Sequence, residues 1–285
     1  MCDLTKGGYV TTLVNPYVKF VKDLKAFFEA RPDLIQRTLS NVFSMRMIGN
    51  KTHGDLAEVA MAEFIQLFVP GYSARHVGKD MYRAKSHEED ISVKTPDGTE
   101  LPISLKAYGD GPLQLSTNKT SSMFKLLSTQ PDRISDTEKI REILTSPAFA
   151  DFRQINVLPL IYDEKKMRCN IMIFDAGRAM DSVTSINLVT AGSGRKHPVY
   201  RFADASGNYV CEVRYGDEAA NALQRGLWTH TKNALQCFSS LTGWIQYSTN
   251  TTVIDLVGAA LVADKPEQKA ALQLLEKESK KDLLE

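Results

Sequence analysis

The sequence predicts an α/β protein: a mixed central β-sheet flanked by helices, with N-terminal helices before it and a β-meander with further helices after it. Three observations carry this. Apolar residues recur at helical spacing through the first third of the chain. Two runs, 155–162 and 167–174, have the apolar content of central strands and flank a charged turn at Asp163-Glu164-Lys165-Lys166. Between these regions lie short segments that alternate apolar and polar residues, the period of half-buried strands.

Residues 1–14 hold Gly7-Gly8 and a short β-prone run, and little follows from them. From Pro16 the spacing turns helical, with Val18, Phe20, Val21, Leu24, Phe27 and Phe28 on one side. Pro32-Asp33 opens a second helix through Leu34, Ile35, Leu39, Val42 and Phe43. An aromatic stripe at this spacing is core rather than a ligand box, and the two helices serve as a cap or an oligomerisation surface. A third helix carries Leu56, Val59, Ala60, Phe64 and Leu67-Phe68 and ends at Pro70-Gly71. Glu58 lies in its first turns, where the helix dipole alone favours an acid. His53 has no second histidine at metal spacing and reads as part of the helix start.

A short strand over 72–78 leads into a basic stretch with Arg75, Lys79, Arg83 and Lys85. Next comes Glu88-Glu89-Asp90-Ile91-Ser92-Val93-Lys94, the turn Pro96-Asp97-Gly98, and Leu101-Pro102-Ile103-Ser104-Leu105-Lys106. Proline with its preset φ and glycine with access to positive φ suit a tight turn between two alternating strands. The hairpin so formed sets Asp90, Ser104 and Lys106 on one face. A carboxylate beside an amine can hold a hard divalent cation through oxygen while the amine orients water or stabilises a phosphate. A basic approach to such a site suits a polyanion. The bland alternative is a solvated surface hairpin.

These residues resemble the active-site hairpin of the PD-(D/E)xK nucleases, type II restriction endonucleases in particular, in which an acid on one strand precedes an acid-x-Lys on the next. Ser104 stands where the family usually has Asp or Glu, and no proline directly precedes Asp90. The resemblance covers roughly 51–117 and extends to Tyr108 to Thr117, which look like the strand after the lysine. It implies a restriction-endonuclease-like core that hydrolyses phosphodiester bonds of double-stranded DNA with Mg2+. Asp90, the Leu105 carbonyl and Glu58 or Glu89 would hold the metal, Lys106 would act on the water or the phosphate, Ser104 would be a weaker substitute for the missing acid, and Gln114 would order water or touch the scissile phosphate. Lys119 joins the candidate DNA contacts.

Helices follow over 121–127 and 136–144, the second started by Ser135-Asp136-Thr137-Glu138. Beyond the two central strands, 185–189, 199–202 and 209–215 read as a β-meander with Gly-rich loops. The loop with Arg195-Lys196-His197 lacks P-loop spacing. With Arg201 it suits phosphate or guanine-edge contact, or is a mobile basic surface loop. Arg214, Arg225 and the segment 228–233 extend that face. Further helices are predicted from 216, over 234–245 and over 253–262, and 264–285 forms a highly charged helix. We read 1–285 as one integrated domain: a helical part over 1–50, a catalytic core over 51–180, a DNA-recognition part over 181–262 and the charged helix.

With 43% hydrophobic and 24% charged residues the chain is neither disordered nor fibrous, and a net charge of +1 requires any nucleic-acid-binding basic residues to be gathered on one face. Cys2, Cys169, Cys211 and Cys237 form neither a C-x-x-C pair nor a disulfide framework. No leader and no membrane-length apolar run are evident, so a cytoplasmic protein is expected. A palindromic site cut on both strands would call for a homodimer, with a cognate DNA methyltransferase as functional partner. The rival readings are a repair or recombination nuclease with the same hairpin, a non-catalytic DNA-binding protein, and an α/β protein with no nucleic-acid role.

Overall fold

The computed structural model describes residues 15–45, 53–77, 90–109, 112–116, 122–153, 155–190, 197–214 and 226–262, with 266, 269–270 and 273. Within them the chain is mixed α/β. Helices α1 (Pro16–Ala30), α2 (Pro32–Met45) and α3 (His53–Phe68) come first. Strands β1 (Ser73–His76), β2 (Ile91–Lys94), β3 (Glu100–Tyr108) and β4 (Pro112–Ser116) follow. Then come α4 (Met123–Leu127), β5 (Arg133–Ile134), α5 (Thr137–Thr145) and α6 (Ala150–Arg153). The central strands are β6 (Val157–Asp163) and β7 (Arg168–Phe174), followed by α7 (Ala176–Ser182). The last part holds β8 (Ser185–Val189), β9 (Val199–Ala203), β10 (Tyr209–Arg214), β11 (Gly226–His230), β12 (Phe238–Ser240), β13 (Ile245–Gln246) and α8 (Thr251–Val262).

Two sheets form. The first runs β1-β2-β3-β6-β7-β12, with β13 also on β7, and the second runs β4-β11-β10-β9-β8-β5. In the first sheet β3 and β6 are parallel and the other pairs antiparallel, so it is mixed. Its two faces serve two cores. Leu158 and Leu160 of β6 and Cys169 and Ile171 of β7 pack with α1, α2 and α3, whereas Val157, Ile161, Met172 and Phe174 pack with α4 to α7 and the second sheet. Burial on both faces is why these strands read as continuous apolar runs. Pro159 offers no N–H to β7, and the ladder between β6 and β7 begins only at Leu160 opposite Ile171.

The N-terminal helices are part of the core rather than an added cap. Phe20, Leu24, Ile35, Leu39, Met61 and Ile65 are almost fully buried, and a buried side chain of this size contributes about 1.5–3 kcal/mol. The Tyr17 hydroxyl donates to the Val157 carbonyl at 3.1 Å and ties α1 to the sheet. Val18 and Leu67, placed on the buried stripes by spacing, are in fact 56% and 69% exposed. Ala57, Met61 and Ile65, four residues apart, take the sheet-facing side of α3 instead. Gly71 turns the chain out of α3 with φ +79°, and a Cβ there would lie 3.2 Å from Pro96 of the hairpin turn. That contact docks the turn on the helix end.

The meander strands β8, β9 and β10 are consecutive and antiparallel as predicted, and β11, a strand the sequence reading did not include, continues them. Their sheet also recruits β4 and β5 from earlier in the chain. The helix predicted over 234–245 is absent. There the chain makes a short 3-10 turn, β12, and β13, both on the free edge of β7. Leu235, Phe238 and Leu241 mimic helical spacing. The Ser240 hydroxyl, however, donates to Asn170 at 2.8 Å, the Thr242 hydroxyl donates to the amide oxygen of the same Asn170 at 3.3 Å, and Gly243 takes φ +70°. Edge pairing overrides local propensity. The helices predicted from 216 and over most of 264–285 lie outside the described residues. Among the described residues no helix is long and apolar enough to cross a membrane.

Candidate functional site

The hairpin is built as its sequence requires. Ile91 pairs with Ile103 and Val93 with Leu101, all four buried against α3. The turn is closed by Thr95 N–H to the Thr99 carbonyl at 2.9 Å and Gly98 N–H to the Thr95 carbonyl at 2.9 Å, with the Thr95 hydroxyl on the Asp97 carboxylate and Gly98 at φ +88°. Asp90 continues the ladder: its N–H donates to the Ile103 carbonyl at 3.1 Å and its carbonyl accepts from Val77 N–H at 2.9 Å. Its backbone is thus fixed between β1 and β3.

From that position Asp90 points to the polar face of β3. One carboxylate oxygen, Oδ2, accepts the Ser104 hydroxyl at 2.6 Å, the Leu105 N–H at 2.9 Å and the Lys106 ammonium at 2.9 Å. Successive residues of β3 therefore converge on one atom. Ser104 and Lys106 reach it by side chains on the shared face, and Leu105 reaches it through its backbone. Ser104 N–H is spent on the carbonyl of Asn156, the residue before β6, at 3.0 Å, so the main-chain groups of Leu105 face the opposite edge, toward Asp90. The Leu105 carbonyl shares that direction.

Glu58 arrives from α3. Burial and the charge of Asp90 push its carboxyl up to about 7, partly offset by Lys106. Its Oε2 lies 3.4 Å from His76 Nε2, and the two side chains are only 17% and 13% exposed. His76 sits opposite Ile91 and so on the face of β1 that α3 covers. Sequence reasoning does not single it out, although alternation from Ala74 is enough to place it there. Among the described residues His76 Nδ1 is buried without a hydrogen-bond partner.

Arg75, the next residue of β1 on the other face, is exposed and opposite Ser92, so it shares the polar face with Asp90, Ser104 and Lys106. Gln114 is not brought to this sheet. It is buried on β4, opposite Trp228 of β11, in the second sheet. Arg201 lies on β9 of the same sheet. Lys79, Arg83, Lys85, Glu89, Lys119, Arg195 and Lys196 lie outside the described residues.

The oxygen donors available are the Asp90 carboxylate and the Leu105 carbonyl of the hairpin and the Glu58 carboxylate of α3, a hard set suited to Mg2+ rather than to a thiophilic metal. Oδ2 of Asp90 carries three donors, which leaves Oδ1 as its other oxygen for a cation. Among the described residues no three His, Cys, Asp or Glu side chains converge as a metal cluster, so the main-chain carbonyl and Ser104 would have to complete any shell. Comparison with protein families, curated proteins and solved structures finds no match to this chain.

Proposed function

We propose that this chain is a Mg2+-dependent endonuclease that hydrolyses phosphodiester bonds in double-stranded DNA at defined sequences, in the manner of a type II restriction endonuclease. The observation that carries the reading is the convergence of Ser104, Leu105 and Lys106 on one oxygen of Asp90, with the Glu58 carboxyl close enough to feel that charge. An acid and a lysine at one strand end, with a second acid on helix α3, are the parts phosphodiester hydrolysis needs: charge to hold a cation and a cation to act at the phosphate.

Asp90, Glu58 and the Leu105 carbonyl would hold Mg2+, which when bound supplies an activated water and neutralises charge building on the phosphate. Lys106 shares the face with Asp90 and either orients the attacking water or donates to the phosphate oxygen that gains charge. Ser104 keeps the Asp90 carboxylate turned toward β3. Arg75, exposed on the same face, positions a flanking phosphate without selecting sequence. Glu58 must be ionised to bind a cation, which its neighbourhood resists until the cation itself or rising pH favours the charge. Action as a cytoplasmic homodimer, with a cognate methyltransferase protecting the host's sites, belongs to the same proposal.

A second reading follows from Ser104. A hydroxyl in place of a carboxylate lowers the site's negative charge, as expected of a DNA-binding protein that does not cut. Digestion of long defined unmethylated DNAs separates the two. Discrete fragments formed with Mg2+ and not with EDTA support the nuclease; DNA that is retained but intact supports the binding protein.

A further inference from the structure

Strand β1 is docked on α3 and tied to the hairpin through its main chain, which fixes what its inward-facing side chains can reach. Ala74 N–H donates to the Gln66 side chain of α3 at 3.0 Å, and Val77 N–H donates to the Asp90 carbonyl at 2.9 Å. Ala74 and His76 alternate onto the face that α3 covers, opposite Val93 and Ile91, which are fully buried. An imidazole therefore stands on β1 where its neighbours on the same face are apolar.

The His76 side chain is only 13% exposed, and its Nε2 lies 3.4 Å from Oε2 of the equally enclosed Glu58. Facing a carboxylate oxygen, Nε2 is the nitrogen that carries the proton when Glu58 is ionised, and Nδ1 is then the acceptor. Nδ1 finds no partner among the described residues. An apolar side chain at this position would pack against the same neighbours without leaving a buried nitrogen unpaired. Stability alone thus argues against a histidine here, and its use is to be sought in what Nε2 does for Glu58.

The two acids are held alike. Oδ2 of Asp90 accepts from Ser104, Leu105 and Lys106, and Oδ1 is its other oxygen. Oε2 of Glu58 faces His76, and Oε1 is its other oxygen. Among the described residues no three His, Cys, Asp or Glu side chains converge as a metal cluster, so His76 acts on Glu58 rather than as a third ligand. A glutamate already fixed by an N–H donor has less rotamer freedom to lose when it takes a cation.

Building on the Mg2+ reading above, we propose that His76 is a positioning residue of the cation site: its Nε2–H holds Oε2 of Glu58 and leaves Oε1 for the cation. The hydrogen bond is long at 3.4 Å and shortens when the carboxylate is charged.

The test is isothermal titration of the full chain with Mg2+ at about pH 8, above the range in which Glu58 titrates, for the wild type, His76→Gln and His76→Met. The two replacements have the same length, and only glutamine offers an N–H donor in the place of Nε2. His76→Met is expected to weaken Mg2+ binding about 10- to 100-fold, and His76→Gln to recover most of that loss. A residue that merely fills space would leave the two variants alike, so equal Mg2+ affinities in them overturn the inference. Circular dichroism shows which variants are folded. Should His76→Met not fold, His76→Phe, which keeps a ring but has no donor, takes its place. A wild type that binds Mg2+ but cuts no DNA in a parallel digestion sinks the nuclease reading alone, and the comparison still decides the role of His76. A wild type that binds no Mg2+ overturns the inference, and the digestion decides the nuclease reading separately.

Discussion

The Lys106 ammonium lies 2.9 Å from the same Asp90 oxygen that accepts the Ser104 hydroxyl at 2.6 Å. Lys106 thus has two tasks, charge balance for Asp90 and the chemistry proposed at the phosphate. The ion pair is partly exposed, and Asp90 keeps two other donors when the lysine is lost. Lys106→Ala is therefore expected to change unfolding free energy by only about 1 kcal/mol while lowering DNA cleavage about 10²- to 10³-fold. Parallel denaturation and cleavage assays check the split.

Ser104 donates to Asp90, and its identity tunes the site's charge. Ser104→Ala removes a charge-assisted hydrogen bond and should destabilise by about 1–2 kcal/mol. Ser104→Asp sets a second carboxylate against the first. Without metal that repulsion should lower the melting temperature below the wild type's. With Mg2+ the variant should recover more than the wild type gains, because the added acid binds the cation in the folded state alone. Thermal scans with and without Mg2+ read both effects. Equal Mg2+ shifts in the two proteins would remove the cation from the hairpin.

Glu58 gives the metal-free protein a pH dependence of defined sign. Its carboxyl is raised from 4.5 to about 7 in the folded protein, first by burial and then by Asp90. The folded state binds the proton more tightly than the unfolded state, so this contribution is complete below about 4.5 and is lost as pH rises through about 7. Denaturation between pH 5 and 8 should show stability falling from this group, and Glu58→Gln should flatten that slope. Mg2+ requires the ionised form, so its binding below about pH 7 should release protons, measurable as a buffer-dependent heat.

Three thiols are closed to reagents. Cys169, Cys211 and Cys237 are buried as free cysteines. Burial pushes the Cys169 thiol up to about 12 and raises the other two as well. Since the thiolate is the reactive form, a disulfide reagent at pH 8 should leave all three unmodified in the native protein and modify them on unfolding. Mass spectrometry of tryptic peptides resolves each site.

Much of the fold can be read from local pattern. The hairpin, the three N-terminal helices, the central strands and the meander each carry their own periodicity and turn residues, so alternation alone sets Asp90, Ser104 and Lys106 on one face. Pairing between distant segments is another matter. Nothing in 112–116 or 133–134 states that they join the sheet of 209–230, so alternation puts Gln114 beside the hairpin, whereas it packs against Trp228. The 234–245 segment has apolar residues at helical intervals, yet the open edge of β7 and Asn170 decide its conformation. His76 escapes sequence reasoning for a related reason: alternation from Ala74 gives its side of β1 but not the helix that covers that side, nor the Glu58 carboxyl beside it.

Plasmid digestion tests the proposed hairpin chemistry without intermediaries, using purified wild type, Asp90→Asn and Lys106→Ala, each shown to be folded by circular dichroism, with Mg2+ and with EDTA. Asparagine keeps the size of Asp90 and its capacity to accept from Ser104 but removes the charge a cation needs. Discrete Mg2+-dependent fragments are expected from the wild type, and intact plasmid from both variants. Fragments of the same pattern from folded Asp90→Asn or Lys106→Ala would rule out the metal and lysine roles assigned to the hairpin.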